Sequence, residues 1–421
     1  MEKINGIWWI PEGHRRFNEE KRQGTLYIQD NYESELEIIF YPQHQGVIAR
    51  AYNRYDVIWG EDICGTKYTL FNCLRTQIRN FTEYKFSPSF ILKGEHLSTL
   101  DVKCYNRCQV KYKHLKNWIK PNRVHTKYSD DKSKTFITID KNINESLLEV
   151  QIDPNIILSI NERISHFDTG CEKKITQDTY LQFNSNSRLS LSNYLELTAE
   201  FSQFLSIALF KEQNPIKIEF YNEENPSNKT ELLFKNRPSY DPHFYFLIQA
   251  ETFKKKLPDI IKNWHKNYYP MSCISRYLIK SFGESVTFDY PDFLIIAQAL
   301  DGYFKRFINK KNGKDIRKYK DQIDILINYF KEVDAVKKCK FNSEIIAHSR
   351  NKYSHLYNDE EEKAQKAVDG FELYWLTQKC LILLTCCILH CNGMDIDEIN
   401  TCCNGNAIQS IIDAMPIEYL I

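Results

Sequence analysis

Arg350 and His355 stand five positions apart in the segment Ser349–Tyr357, which reads SRNKYSHLY. Histidine titrates near neutral pH and can accept or donate a proton. Arginine keeps its charge, and its planar guanidinium matches the geometry of a phosphate. Cleavage of RNA through its 2′-hydroxyl needs a base, a cation that stabilises the phosphorane, and an acid. These residue types therefore suit RNA cleavage without a metal.

The spacing alone is weak evidence for a catalytic pair, because an arginine is also followed by a histidine at Arg107…His114 and at Arg237…His243. Two prolines interrupt the second pair, so it is not expected within a helix. The first pair lies in a strand-like region. Only the pair at 350 and 355 falls on a predicted helix, and a polar residue, Asn351, follows the arginine directly. Asn351 would either orient the scissile phosphate or face solvent.

A basic segment precedes this helix. Its sequence, KRFINKKNGKDIRKYK, has eight cations against one acidic residue, Asp315, and Asn312-Gly313 marks a turn between two helices. Such a run is typical of a solvated helix–loop–helix tip, but it also suits contact with a phosphate backbone. The candidate RNA-binding residues are Lys305, Arg306, Lys310, Lys311, Lys314, Arg317, Lys318 and Lys320.

The composition limits the class of protein. In 421 residues, 56 Lys and Arg face 55 Asp and Glu, so a globally cationic nucleic-acid binder is excluded, whereas a local basic cleft is not. Met1–Ile10 has two tryptophans where a secretory signal needs an aliphatic core. The most apolar stretch, Cys380–Cys391, is short for a bilayer. We expect a cytoplasmic protein without membrane insertion, whose thirteen cysteines are reduced.

The first half of the chain is predicted to be rich in β-strands. Gly24–Phe40 alternates apolar and polar residues around an Asp-Asn turn, which is typical of a hairpin. Ser190–Phe210 is instead spaced as an amphipathic helix. Further strand-like runs are Lys67–Leu74, Thr135–Asp140, Ile216–Phe220 and Glu231–Phe234.

The character of the sequence changes near residue 255. Apolar residues then recur at steps of three and four, which is typical of amphipathic helices. The predicted helices are Phe293–Phe307, Ile323–Val333, Ser343–Tyr357, Phe371–His390 and Ala407–Met415. The predicted fold class is therefore α+β and multidomain, with a β-rich region at 1–250 followed by an all-α helical bundle at 255–421.

The phrase RNKYSHLY resembles the signature of the HEPN superfamily, ribonucleases built on a small helical bundle. This resemblance implies that Arg350, Asn351 and His355 are catalytic. Members of the toxin branch often have a tyrosine two residues after the histidine, and Tyr357 stands at that position. Tyr357 would either offer a modifiable hydroxyl or pack as an ordinary helix tyrosine. The phrase IIAQALDGYFKRF resembles the "QALE" helix of the ApeA-type group, with Asp301 in place of the glutamate, so Asp301 is an accessory candidate.

Three phrases in the first half resemble the ApeA N-terminal domain: GIWWIPE at Gly6–Glu12, GTLYI at Gly24–Ile28 and IWGEDICGTKYTLFNC at Ile58–Cys73. Together the resemblances span nearly the whole chain. They imply an anti-phage abortive-infection effector that cuts host RNA, commonly tRNA, without a cofactor. The β-rich half would sense infection or restrain the nuclease, with a phage protein as the candidate trigger.

Helical geometry adds an expectation about assembly. Five residues of an α-helix rotate by about 500°, which leaves Arg350 and His355 about 140° apart around the axis and about 7.5 Å apart along it. They converge on one phosphate only if the arginine swings round or if a second subunit completes the cleft. HEPN nucleases resemble the latter case, which implies a homodimer about a two-fold axis.

Two other interpretations remain open. The bundle could be a non-catalytic HEPN module that binds RNA or protein. In the β-rich half, Cys104, Cys108 and His114 could hold a structural zinc ion with Cys64 or Cys73, although free cysteines are commonly buried packing residues. A nucleotide-dependent switch lacks support, since the sequence has no Gly-rich phosphate loop.

Overall fold

The computed structural model has a β-rich half followed by a helical half, which confirms the predicted α+β class. The Lys67–Leu74 strand, the two paired strands of the predicted hairpin and the Ser190–Phe210 helix are present, as are the five predicted bundle helices. The predicted Asp-Asn turn of the hairpin and Phe40 lie outside the described residues. The structure describes residues 1–11, 21–29, 33–39, 54–79, 83–121, 123–130, 135–139, 146–169, 173–224, 229–235, 245–282, 290–309, 316–358, 360–362 and 364–420.

Strands make up most of the chain before residue 235. They are β1 (Glu2–Trp9), β2 (Arg22–Ile28), β3 (Ser34–Ile39), β4 (Arg54–Asp62), β5 (Lys67–Arg79), β6 (Glu83–Ser87), β7 (Phe90–Lys93), β8 (Tyr105–Tyr112), β9 (Val124–Tyr128), β10 (Thr135–Ile139), β11 (Leu148–Asp153), β12 (Ile156–Asp168), β13 (Lys173–Leu189), β14 (Pro215–Tyr221) and β15 (Lys229–Phe234). Strands β9 and β10 pair separately, and the others form one sheet in the order β11-β12-β13-β8-β14-β15-β7-β5-β4-β1-β2-β3-β6.

One end of this sheet closes into a barrel, because β6 pairs back with β5. Strands β5, β4, β1, β2, β3 and β6 enclose a core in which Trp8, Leu26 and Leu70 are fully buried. Gly60 is required beside the indole, since a Cβ there would lie 2.1 Å from the Trp8 ring. Closure leaves these strands without a free edge.

Two helices lie in the β-rich half, and helices dominate after residue 255. The helices are α1 (Leu115–Ile119), α2 (Leu191–Ala208), α3 (Leu257–Lys280), α4 (Tyr290–Tyr303), α5 (Tyr319–Tyr329), α6 (Asp334–Lys338), α7 (Ser343–His355), α8 (Gly370–Cys391), α9 (Ile396–Cys403) and α10 (Asn406–Asp413). A π-helical segment, Phe304–Asn309, continues α4, and a 3₁₀ turn, Ile417–Tyr419, lies near the end of the chain.

Helix α2 covers the open part of the sheet. Its N-cap, Ser190, accepts a hydrogen bond from the backbone N–H of Asn193 at 3.2 Å, which satisfies one of the free donors of the first turn. The Tyr112 ring on β8 lies 5.8 Å from the ring of Phe201 on α2. The Tyr112 hydroxyl lies 2.9 Å from Ser202 Oγ. The sheet and helix therefore share a packed layer.

Helix α8 is the central helix of the bundle and packs against α3 and α4. By length and composition alone this 22-residue helix could cross a membrane, but 83% of its apolar window is buried inside the protein. It packs as a core helix. The predicted helix Phe371–His390 is thereby confirmed, and the apolar stretch Cys380–Cys391 forms its second half.

Helix α3 joins the two halves, and the sequence analysis did not predict it. Trp264 of α3 donates its indole N–H to the backbone carbonyl of Glu200 on α2 at 3.1 Å. Further along α3, the buried residues Ile274 and Leu278 belong to the same hydrophobic core as the bundle. Pro270 lies inside the helix, where proline normally predicts a break. One core therefore runs from the sheet into the bundle.

A histidine–carboxylate pair reinforces this junction. His265 Nδ1 lies 2.8 Å and 3.0 Å from the two carboxylate oxygens of Glu200. The hydrogen bond with Glu200 raises the pKa of His265, and burial opposes that rise. A histidine with a raised pKa in the folded state stabilises it fully below the unfolded pKa. That stabilisation is lost as the pH rises through the folded pKa.

We therefore expect the free energy of unfolding to depend on pH through this pair. Relative to Glu200→Gln, the wild type should gain about 1 kcal/mol at about pH 5.5, and this advantage should shrink by about pH 8.5. Denaturant unfolding of both proteins across that pH range measures the difference in free energy of unfolding. The contributions of other titrating groups cancel in this difference, because both proteins contain them. An advantage that does not vary with pH would contradict the assignment.

Candidate active site

Helix α7 holds the candidate catalytic residues, and its N-terminus is well defined. The side chain of Asn342 accepts hydrogen bonds from the backbone N–H groups of Glu344 and Ile345, at 3.0 and 3.1 Å. This is the usual N-cap arrangement. Ile346 and Ser349 are fully buried, so this face of α7 points into the bundle. The rotation of the helix is thereby fixed, and Arg350 is half-buried at its edge.

The segment after α7 folds back onto the helix. Ser349 Oγ accepts the backbone N–H of Val368 at 3.1 Å, and the hydroxyl of Tyr353 donates to the Val368 carbonyl at 2.8 Å. The Tyr353 ring also stacks on Tyr290 of α4, with centroids 5.5 Å apart and planes within 7°. These contacts hold the last turns of α7 against α4.

Arg350 is positioned by an aromatic ring from α5. Its guanidinium lies 5.5 Å from the centroid of the Tyr319 ring, a cation–π distance. Its Nη1 also donates to the side-chain oxygen of Asn351 at 3.2 Å. The Tyr319 hydroxyl donates to the carbonyl of Ala297 on α4 at 2.9 Å. Tyr319 therefore joins α4, α5 and Arg350.

Asp301 is close enough to Tyr319 to influence the ionisation of its hydroxyl. Burial raises the pKa of Tyr319 well above its usual range, Asp301 adds to the rise, and Arg350 opposes it. The Asp301 carboxylate itself binds Lys305 Nζ at 2.7 Å. The accessory candidate Asp301 thus belongs to the cluster around Arg350, where its direct ionic partner is a lysine.

His355 occupies the last residue of α7 and is exposed. Its ring lies 5.4 Å from the ring of Tyr357, tilted by 31°. The chain reverses at Leu356, whose φ of 53° is in the left-handed region. The N–H of Tyr357 then bonds back to the Lys352 carbonyl at 3.1 Å. This turn places Tyr357 beside His355 rather than on a continuing helix.

A single chain does not join the two principal candidates. Within the described residues no hydrogen bond links Arg350 to His355: the arginine contacts Tyr319 and Asn351, whereas the histidine contacts Tyr357. This separation agrees with the helical geometry, which puts the two side chains on different faces.

The basic segment is described in part. Lys310, Lys311 and Lys314 lie outside the described residues. Lys305 and Arg306 are exposed on the π-helical segment, and Arg317, Lys318 and Lys320 are exposed at the start of α5. A hydrogen bond with Lys366 lowers the pKa of Glu344 on α7, and the positive charge of Lys320 lowers it further. Lys320 lies on α5, which packs against α7, and Lys305 contacts Asp301 in the cluster around Arg350.

The described residues give no support to the zinc interpretation. They bring no group of three or more His, Cys, Asp or Glu together in a metal-binding arrangement. Cys108 is fully buried on β8, and burial raises its thiol pKa well above the usual range. Burial raises the pKa of Cys104 to about 11.

Sequence analysis missed the aromatic residues that position the site. Tyr319 and Tyr353 support Arg350 and the end of α7, but neither has an acid–base or charge signature. Tyr319 stands inside the basic segment, and an aromatic residue among cations was the one feature of the sequence that could have indicated its contact with Arg350.

Comparison with known families gives two matches. Residues 3–264 match ApeA N-terminal domain 1, and residues 294–398 match Apea-like HEPN. The first match covers more than half of the chain and ends inside α3, and the second contains all the catalytic candidates. The suspected resemblance is thereby confirmed. No curated protein and no solved structure matches the chain. The predicted boundary between 250 and 255 stays a prediction.

The turn after His355 holds Leu356 in a backbone conformation that favours glycine. Leu356 is 77% exposed, so its side chain gains little from packing, while its left-handed backbone disfavours any residue with a Cβ. Leu356→Gly should therefore raise the free energy of unfolding by about 1 kcal/mol. Denaturant unfolding measures this change.

Leu356→Ala is the matched control, because it removes the same exposed side chain but keeps the Cβ. It should leave the free energy of unfolding nearly unchanged. Equal effects of the two substitutions would show that the backbone at Leu356 is not strained.

Proposed function

Since the chain belongs to the family of the ApeA N-terminal domain 1, here joined to an Apea-like HEPN domain, we propose that it is a metal-independent endoribonuclease effector of anti-phage defence. The observation that supports this best is the arrangement on α7. It combines a positioned guanidinium at Arg350 with an exposed imidazole at His355, in the segment that matches HEPN.

In the proposed mechanism each residue has one task. His355 exchanges a proton with the ribose 2′-hydroxyl or with the leaving 5′-oxygen. Arg350 binds the scissile phosphate and stabilises the charge that grows on its oxygens. Asn351, which already contacts the guanidinium, orients that phosphate. The products carry 2′,3′-cyclic phosphate and 5′-hydroxyl ends, because the nucleophile belongs to the substrate.

The proposed substrate is host RNA, with tRNA as the first species to test. Cations at Lys305, Arg306, Lys318 and Lys320 are exposed beside the site and would contact the RNA backbone. DNA lacks the 2′-hydroxyl and should resist cleavage. The β-rich half, which shares a core with the bundle through α3, would restrain the nuclease until a phage protein appears in the cytoplasm.

Substitution of His355 tests this proposal. His355→Ala should slow cleavage of labelled tRNA at least about 100-fold, the usual contribution of an acid–base group. Arg350→Lys should also lose most activity, since lysine keeps the charge but not the planar fork. Gel-resolved time courses, with analysis of the product ends and with chelator present, measure both effects.

His348→Ala is the matched control. His348 lies on the same helix and faces Glu344 at 3.7 Å, away from Arg350, so its removal should leave the rate unchanged.

A cellular experiment extends the test to total RNA. It compares cells that carry the wild type or His355→Ala, with and without phage infection. Intact RNA in every lane with phage still restricted would favour the alternative, a non-catalytic HEPN binding module.

We also propose that the active form is a homodimer. Arg350 and His355 have separate neighbours in one chain, so a two-fold partner would bring a second copy of the motif to the same phosphate.

The rate per chain should therefore fall on dilution. Cleavage measured over a concentration series should lose activity at the concentration where mass photometry shows the dimer dissociating. His355→Ala at the same concentrations gives the background. A protein that is verified as a monomer and keeps its full rate per chain would disprove the composite site.

A further inference from the structure

A cleft of about 660 Å³ opens where α2, strands β7, β14 and β15 and the last turns of α3 meet. None of the candidate catalytic residues lines it. Its volume is in the range of sites that hold small organic molecules. The cleft touches α3, the helix that continues into the bundle.

The middle of the α2 wall has short side chains, and Leu195 and Gln203 complete that wall. Thr198, Ala199 and Ser202 face it, and their small volumes leave the space unfilled. The hydroxyls of Thr198 and Ser202 donate to the backbone carbonyls of Tyr194 and Thr198, each at 2.7 Å. Their hydrogens are thus already used, and this wall offers a ligand mainly van der Waals contact.

The opposite wall is apolar and partly aromatic. Phe90 on β7 and Phe234 on β15 are directly paired across the two strands, and both line the cleft. Ile218 and Leu232 extend the same wall. Two neighbouring phenyl rings form a surface against which a flat ring packs well.

The rim is cationic. Arg276 and Lys280 lie one turn apart at the end of α3, both exposed, and in the part of the chain that the structure describes neither pairs with a carboxylate. A third cation of the rim, Lys235, is already paired with Glu33. Glu212 also lines the cleft. The Arg276 guanidinium also has a hydrogen bond with the Tyr268 hydroxyl. Arg276 and Lys280 thus keep positive charges that no carboxylate among the described residues neutralises.

We propose that this cleft binds a small aromatic anion with the chemistry of a mononucleotide. The flat body would lie between the short side chains of α2 and the ring pair Phe90 and Phe234. Its phosphate would contact Arg276 and Lys280. Because the sequence lacks a Gly-rich phosphate loop, side-chain cations take the place of backbone N–H groups. The proposal concerns binding and does not depend on the ribonuclease activity.

The cations have a simpler alternative role, since positive residues at a helix C-terminus interact favourably with the helix dipole. That role needs no cleft and no ligand. Binding measurements distinguish the two, because a dipole interaction does not select between phosphorylated and unphosphorylated probes.

The test is titration of the full-length protein with AMP, adenosine, inorganic phosphate and decanoate, by calorimetry and thermal shift. AMP should bind saturably and at least about tenfold more tightly than the other three probes. Arg276→Gln with Lys280→Gln should weaken AMP binding at least about tenfold. Ala199→Phe, which fills the cleft without changing its charge, should do the same.

Two controls make the result specific to the cleft. Lys262→Gln with Lys266→Gln removes two exposed cations of the same helix at the same spacing, outside the cleft, and should leave AMP affinity unchanged. Arg350→Gln removes the phosphate ligand of the proposed active site and should also leave it unchanged. The proposal is overturned if AMP does not bind, if decanoate or adenosine binds equally well, or if only Arg350→Gln abolishes binding.

Discussion

The structure depends on the burial of one helix, α3, in a core that it shares with both halves of the chain. Its first turns pack Trp264 against α2, and its later turns bury Ile274 and Leu278 against the bundle. Each such side chain stabilises the folded state by roughly 1.5–3 kcal/mol when it is fully buried. Movement of the β-rich half as a separate body would expose this surface. The proposed restraint of the bundle by the β-rich half would therefore act through this packing.

The same bundle gives the two catalytic candidates different burial and different contacts. Arg350 lies half-buried against Tyr319, which is itself fixed by a hydrogen bond to α4. His355 is exposed at the end of α7, next to a strained turn at Leu356. A preorganised cation suits the stabilisation of developing charge, whereas a group that transfers a proton has to be accessible to the substrate.

Local patterns in the sequence predict most of the elements but few of the contacts between them. The three- and four-residue steps from Phe293 onward correctly indicate the bundle helices, and the alternation in Gly24–Phe40 indicates a hairpin. The pairing of β3 with β6, which closes the barrel, and the contact between Tyr319 and Arg350 join positions that are far apart in the sequence and share no periodicity. Helix α3 escapes detection because Pro270, normally a helix breaker, lies inside it. The motif on α7 was visible in the sequence, but the tyrosines that position it were not.

The position of the motif on one helix constrains how such an enzyme can be controlled. Because about 140° separates Arg350 from His355 around the α7 axis, completing the proposed site depends on how two bundles meet. A shift of the bundle relative to its partner would then switch activity without altering any catalytic side chain. Helix α3 packs against α4 and α8, and α4 in turn contacts α7. A signal received in the β-rich half therefore has a continuous packed route to the proposed dimer contact.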